Sequence, residues 1–237
     1  MSFNIIKNKN IYLSGDIMYK QKILIFIFFI LFVSIFGFIN TKANELPLLG
    51  KIIYIDPGHG GTDPGSIYKD IYEKDINLQI CLKLQEDLGK LGAIVYLTRY
   101  DDYDLGAPNA LSRKKSDLNN RVRLINDSNA DMYISIHLNS TNSKTWHGAQ
   151  VFYDDVNEQN KIIATIMQNQ LKEDLNTDRE IDEISTMLLN RKVTIPGVLI
   201  EVGFLSNDNE RYLLRQDSYQ SKISTSIVNG IMKYFDK

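Results

Sequence analysis

The stretch from Lys51 to Gly61, KIIYIDPGHGG, constrains the fold of this chain more than any other. Its apolar run, Ile52 to Ile55, reads as a buried strand that empties into Asp56, Pro57, Gly58, His59, Gly60 and Gly61. Pro57 has no N–H to give a sheet ladder, and the glycines permit backbone angles that other residues avoid. His59 is therefore expected on a tight turn just past the carboxyl end of a strand, where open α/β sheets bind their ligands.

Downstream, strand-like and helical patterns alternate. Glu73 to Lys90 carries Ile76, Ile80, Leu84 and Leu88 on one helical stripe, which Gly89 or Gly92 would end. Ala93 to Thr98 reads as a second strand, and Arg99 to Lys115 as a polar loop of a length more often functional than idle. Asp117 to Asn126 predicts a short amphipathic helix, Met132 to His137 and Ala149 to Tyr153 two strands, and Asn157 to Leu175 a long helix. Thr186 to Leu189 reads as a short edge strand and Val198 to Phe204 as a strand after Pro196-Gly197. Two helices, Asp208 to Leu214 and Tyr219 to Phe235, close the chain. This alternation predicts an α/β class: a single domain with a twisted, mostly parallel sheet flanked by helices on both faces.

Ahead of that domain, Ile23 to Ile39 runs without a charge directly after Lys20 and Lys22. An apolar run behind basic residues is an export signal. At 1.5 Å per residue it reaches roughly 26 Å, short for a membrane span, so a cleaved signal and a retained anchor both stay open. Thr41 and Ala43 are placed for cleavage after Ala43, and Met18 would give a signal of ordinary length. The expected division is residues 1–43 for export or anchoring and 44–237 for the folded domain, working outside the cytoplasmic membrane and touching it only through the N-terminal segment. A net charge of −2 and a pI of about 5.9 argue against nucleic acid as a partner. Cys81 is the only cysteine, which excludes an intrachain disulfide and fits a small packed apolar residue.

Three histidines are present, His59, His137 and His147. His137 closes the apolar run MYISIH, so it too should end a strand at the sheet's carboxyl edge. Two such histidines beside a glycine-rich turn are candidate metal ligands, or else unrelated polar loop residues. Glu201 lies inside PGVLIEVGF, where an ionised carboxylate costs several kcal/mol unless it is paired or faces a metal or polar cleft. An ion pair with Arg99, Arg121 or Arg123 is one reading; a general base beside a metal centre is the other. Two histidines, one carboxylate and an open position make the catalytic zinc arrangement. Glu73, Asp63, Asp70 and Asp75 are all candidates for the carboxylate, and spacing alone does not choose among them. The turn lacks the GK[ST] ending of a P-loop, which sets aside phosphate binding.

DPGHGG (56–61), YEKDINL (72–78), TR (98–99), LNNRVRLIND (118–127), ADMYISIHLNS (130–140), WHGAQVFY (146–153) and PGVLIEVGFLSN (196–207) together resemble the zinc-dependent N-acetylmuramoyl-L-alanine amidases. The resemblance spans residues 50–237 in order and implies a single α/β catalytic domain. It implies His59, Glu73 and His137 as zinc ligands and Glu201 as catalytic acid/base. The WHGAQVFY segment and compact layout resemble the CwlD type of spore-forming bacteria, which implies spore-cortex peptidoglycan as substrate and muramic-δ-lactam as the outcome. His147 lies in that segment, off the ligand positions, and receives no role. Asn139, Arg99, Arg121 and Arg123 are each open to substrate contact or to a structural role. An accessory protein that steadies the metal site, at residues 99–115 or 176–185, is a further expectation. The competing functions are a vegetative-wall amidase, a zinc peptidase of the stem peptide, and a non-catalytic wall-binding module.

Overall fold

The computed structural model describes residues 19–37 and 46–236, and the chain divides at Leu46/Pro47 into two units. In the first, α1 (Tyr19–Gly37) has 19 residues, a mean hydropathy of 2.0 and no buried side chain. That length and composition suit a membrane span or a signal sequence alike. Residues 38 and 39 of the apolar run, the cleavage position after Ala43 and the alternative start at Met18 lie outside the described residues.

The second unit is built on β1 (Ile52–Pro57), β2 (Ile67–Tyr68), β3 (Ile71–Tyr72), α2 (Glu73–Lys90), β4 (Ile94–Leu97), α3 (Arg113–Asn126) and β5 (Met132–Asn139). It continues with β6 (Gln150–Tyr153), α4 (Glu158–Leu175), β7 (Asp182–Glu183), α5 (Leu188–Lys192), β8 (Gly197–Phe204), α6 (Asp208–Leu214) and α7 (Asp217–Phe235). One sheet runs β4-β1-β5-β8-β6-β7, with β6 antiparallel to β8 and the other pairings parallel. The expected α/β architecture, a mostly parallel sheet between helices, is the one found.

Strand periodicity sorts the side chains into two layers. Ile53 and Ile55, Met132, Ile134 and Ile136, and Val198, Ile200 and Val202 join the larger core with residues of α2, α4 and α7. Tyr54 and Tyr133 instead pack with Val122 and Ile125 of α3 and Leu189 of α5. The same alternation carries Asp56, Ser135, His137 and Glu201 onto this second face, where it turns polar toward the strands' carboxyl ends. Register places Asp56 opposite Ser135 and His137 opposite Glu201.

Two expectations need correction. Thr186 to Leu189 is not an edge strand; the edge is β7, Asp182-Glu183, paired to Phe152 and Tyr153. Two acidic residues carry no apolar alternation, so this strand exists only through its neighbour. Leu188–Lys192 folds as α5 because Leu189 and Asn190 are buried on the α3 side. Residues 113–115 are helix rather than loop: Ser112 caps α3 by accepting from the Lys115 N–H, a signal that outweighs the lack of apolar residues in RKKS. The segment 62–72 also holds a small hairpin, β2–β3, with Lys69 in the left-handed region at φ 55°.

The buried polar stitch of the second face is centred on Asp56. Its Oδ1 accepts from Thr98 Oγ1 at 2.6 Å and Arg121 Nη1 at 2.7 Å, and its Oδ2 accepts from Ser135 Oγ at 2.8 Å. Residues just after β4, in β5 and in α3 are thereby tied to β1. Burial alone would raise the Asp56 carboxyl, but the Arg121 charge and the Thr98 and Arg121 hydrogen bonds hold it down at about 2, against an ordinary 3.8. A carboxyl depressed on folding adds stability that is complete above its unfolded value and is lost as pH falls through the folded one. The shift amounts to about 2 kcal/mol. The stability lost on the acid side in urea unfolding should therefore be greater by about that much in the natural chain than in Asp56→Asn; equal acid slopes would contradict this role for Asp56.

Candidate metal centre and active site

Past Pro57 the chain turns through His59 at φ 64° and Gly60 at φ 131°. A left-handed histidine costs of order 1 kcal/mol, so its surroundings must hold it. They do so through backbone carbonyls. Pro57 O accepts from Arg99 Nε at 3.0 Å and Arg121 Nη1 at 2.8 Å. Gly58 O accepts from Arg99 Nη2 at 3.0 Å, and His59 O from Arg121 Nη2 at 2.6 Å. Both arginines are about 1% exposed. They are the clamp of this turn, and neither pairs with Glu201. Arg123 is exposed on α3.

The loop after β4 braces the turn from outside: Gly61 N donates to Asp102 Oδ1 at 2.8 Å and Thr62 N to Asp104 Oδ2 at 3.2 Å. The hairpin β2–β3 then returns the chain so that Glu73, the first residue of α2, faces the turn. Glu73 Oε1 lies 3.1 Å from His59 Nε2 and 3.1 Å from His137 Nδ1. It also accepts from Leu138 N at 3.0 Å, while Oε2 accepts from Ser66 N at 2.8 Å. One donor atom each from His59, Glu73 and His137 falls within 4.8 Å of the others. Of the other acids, Asp70 and Asp75 are exposed, and Asp63 Oδ2 sits 3.0 Å from the far nitrogen of His59, Nδ1.

Electrostatics match this convergence. Burial would raise the Glu73 carboxyl, but hydrogen bonds and charge from His137 and His59 hold it well below the ordinary carboxylate range. Burial opposes a charge on His137, yet the bond to Glu73 raises its pKa overall. Glu201 is different: burial, with Glu73 adding to it, outweighs the pull of His137 and pushes the carboxyl up to about 7. Its Oε2 is buried without a hydrogen-bond partner. Two imidazoles and an ionised carboxylate are a donor set that suits a divalent metal ion, and a second carboxyl poised near neutrality beside them suits proton transfer.

His59, Glu73, His137 and Glu201 all line a cavity of about 630 Å³, which Asn139, Lys114 and residues 186–190 help to wall. The model of the N-acetylmuramoyl-L-alanine amidase family matches residues 53–233. The chain belongs to this amidase family.

Among relatives of the amidase, the germination-specific N-acetylmuramoyl-L-alanine amidase of Bacillus subtilis is 45% identical over 213 residues, 87% of this chain and 90% of the relative. The CwlD amidase of Clostridioides difficile, solved in complex with the GerS lipoprotein, superposes with a TM-score of 0.75 at 41% identity, over 79% of this chain and 99% of the other. An N-acetylmuramoyl-L-alanine amidase from Clostridium difficile 630 gives a TM-score of 0.70 at 34% identity, over 79% and 97%.

The sequence pattern leaves the arginine clamp open and does not single out Asp56, Asn77 or Lys114. Asn77 had a signal: it is one helical turn beyond Glu73, and its Nδ2 reaches Gly58 O at 3.3 Å. In the amidase, close packing at Gly58 is also part of the site, since a methyl group there would lie 2.3 Å from His137 Cε1. Gly58→Ala should displace the His137 ring and weaken metal binding by about ten- to a hundredfold. Metal titration of both proteins followed by calorimetry checks this; unchanged affinity would mean that the ring does not need its present position.

Proposed function

We propose that His59, Glu73 and His137 hold a zinc ion, and that Glu201 is the acid/base that cuts the amide between the lactyl carbonyl of N-acetylmuramic acid and the amine of L-alanine. The observation that carries this is the convergence of three donor atoms beside the unpartnered Glu201 carboxyl. When bound, zinc supplies Lewis acidity, polarising a carbonyl and acidifying water. Glu201 takes the proton from the attacking water, and a carboxyl held near neutrality can then deliver it to the departing alanine nitrogen. Gly58 and Gly60 let the turn pack directly against the His137 ring and the Arg99 side chain. Glu73 is fixed by the Ser66 and Leu138 N–H groups, so its geometry does not depend on the ion alone.

On this reading residues 44–237 form the catalytic domain, and the N-terminal segment exports or anchors it outside the cytoplasmic membrane. Similarity to a germination-specific relative supports spore-cortex peptidoglycan as the substrate and muramic-δ-lactam as its later product. The lipoprotein bound to the similar Clostridioides amidase supports an accessory partner here too. The loop at 99–115 is a suitable docking place, because Asp102 and Asp104 connect it directly to the His59 turn.

Glu201→Ala should keep its zinc and lose turnover by about 10²- to 10⁴-fold. Elemental analysis and product mass spectrometry test both halves, and wild-type-like turnover would exclude Glu201 as the base. Chelation should abolish release of peptides with a new L-alanine amino terminus, and added zinc should restore it. His59→Ala and His137→Ala should each lower bound zinc; fragments cut within the stem peptide would instead indicate a peptidase.

A further inference from the structure

A second cleft, of about 500 Å³, opens beside the catalytic cavity and is walled by Trp146, His147, Gln150, Asp178, Arg179 and Asp182. We propose that it is a glycan subsite, in which Trp146 stacks against an N-acetylhexosamine ring of the strand that carries the scissile peptide. This rests on the amidase reading above and extends it to the polymer.

Position is the first argument. Gln150, a wall residue of this cleft, stands opposite Glu201, a wall residue of the catalytic cavity, in the β6–β8 register, on strands about 5 Å apart. A polymer seated with its amide at Glu201 must continue past this point or its opposite.

Construction is the second. Trp146 is 52% exposed, yet its ring rests on Arg179 and its segment is tied down by backbone hydrogen bonds. The Arg179 guanidinium lies 4.5 Å from the Trp146 ring centre and 4.9 Å from that of buried Phe204, a cation layered between two rings. Arg179 Nε donates to His147 O at 3.0 Å. Glu210 of α6 accepts from Gly148 N at 2.9 Å and Phe204 N at 2.7 Å, and Asn207 Nδ2 donates to Trp146 O at 3.3 Å. A large apolar ring fixed in water this firmly, beside a polar-lined cleft, is a preformed binding surface.

Charge selects the occupant. Asp178, Glu180 and Asp182 border the cleft, and Arg179 is already engaged. Carboxylates repel the acidic residues of a stem peptide but accept hydrogen bonds from the hydroxyls of an uncharged sugar. His147 thereby gains a place in the function, beside the sugar rather than on the metal.

Trp146 is the only tryptophan in the chain, so its emission reports on this cleft alone. The full chain in detergent, stripped of metal, should shift its emission when titrated with the tetrasaccharide of β-1,4-linked N-acetylglucosamine, an uncharged run of N-acetylhexosamine rings. It should not respond to a free stem tripeptide. With zinc, Trp146→Ala should raise KM on polymeric peptidoglycan by about tenfold, with Trp146→Phe recovering most of the loss. Both variants should hydrolyse N-acetylmuramoyl-L-alanyl-D-isoglutamine like the natural chain. Emission unmoved by the tetrasaccharide, or equal losses on polymer and monomer, would overturn the subsite. Natural enzyme that fails on the monomer while zinc-loaded would instead overturn the amidase chemistry beneath it.

Discussion

The buried ion pair between Asp56 and Arg121 is the interaction on which the rest of this site depends. Taking both charges out of water is expensive, and only a full set of partners makes the arrangement tolerable. Asp56 obtains them from Thr98 and Ser135, and Arg121 from Asp117, Pro57 O and His59 O. The same guanidinium therefore neutralises the end of β1 and supports the carbonyls of the turn that follows it. Arg99 repeats the support from the other side. A strained histidine conformation is maintained by charge-assisted hydrogen bonds to its backbone, which leaves the imidazole free to face Glu73 and Asp63.

The active face follows from strand periodicity. Alternate residues of β1, β5 and β8 enter the large apolar core, and the intervening ones meet α3 and α5. Near the carboxyl ends the latter set becomes Asp56, Ser135, His137 and Glu201. Glu201 is thus buried as part of a polar wall, opposite His137, rather than as a stray charge in an apolar strand. Its lifted carboxyl and its orphaned oxygen both arise from that placement.

Strand-end reasoning could reach His59, His137 and Glu201 because each breaks or ends an apolar run, and the structure gathers all three around one cavity. Glu73 was not separable from Asp63, Asp70 and Asp75, since an acid in a helix's first turn is also explained by the helix dipole. What selects it in space is the β2–β3 hairpin, two residues per strand, too short to leave a periodic trace. The edge strand β7 escaped for the same reason, and α5 is held by burial against α3 that no local pattern announces. The long helix α2 kept its expected limits through its apolar stripe, and the seven-residue α6 kept its own through the Asn207 cap.

The arginine clamp also makes the shape of the turn independent of what the side chains on it hold. In small zinc domains the ion is the keystone, and the chain collapses without it. Here the turn that presents His59 is secured by guanidinium groups, and Glu73 by backbone amides, so the receptacle is finished by protein bonds alone. The shape of the turn is then a property of the fold, and a change at Arg99 or Arg121 would reach the His59 side chain indirectly, through the backbone that carries it.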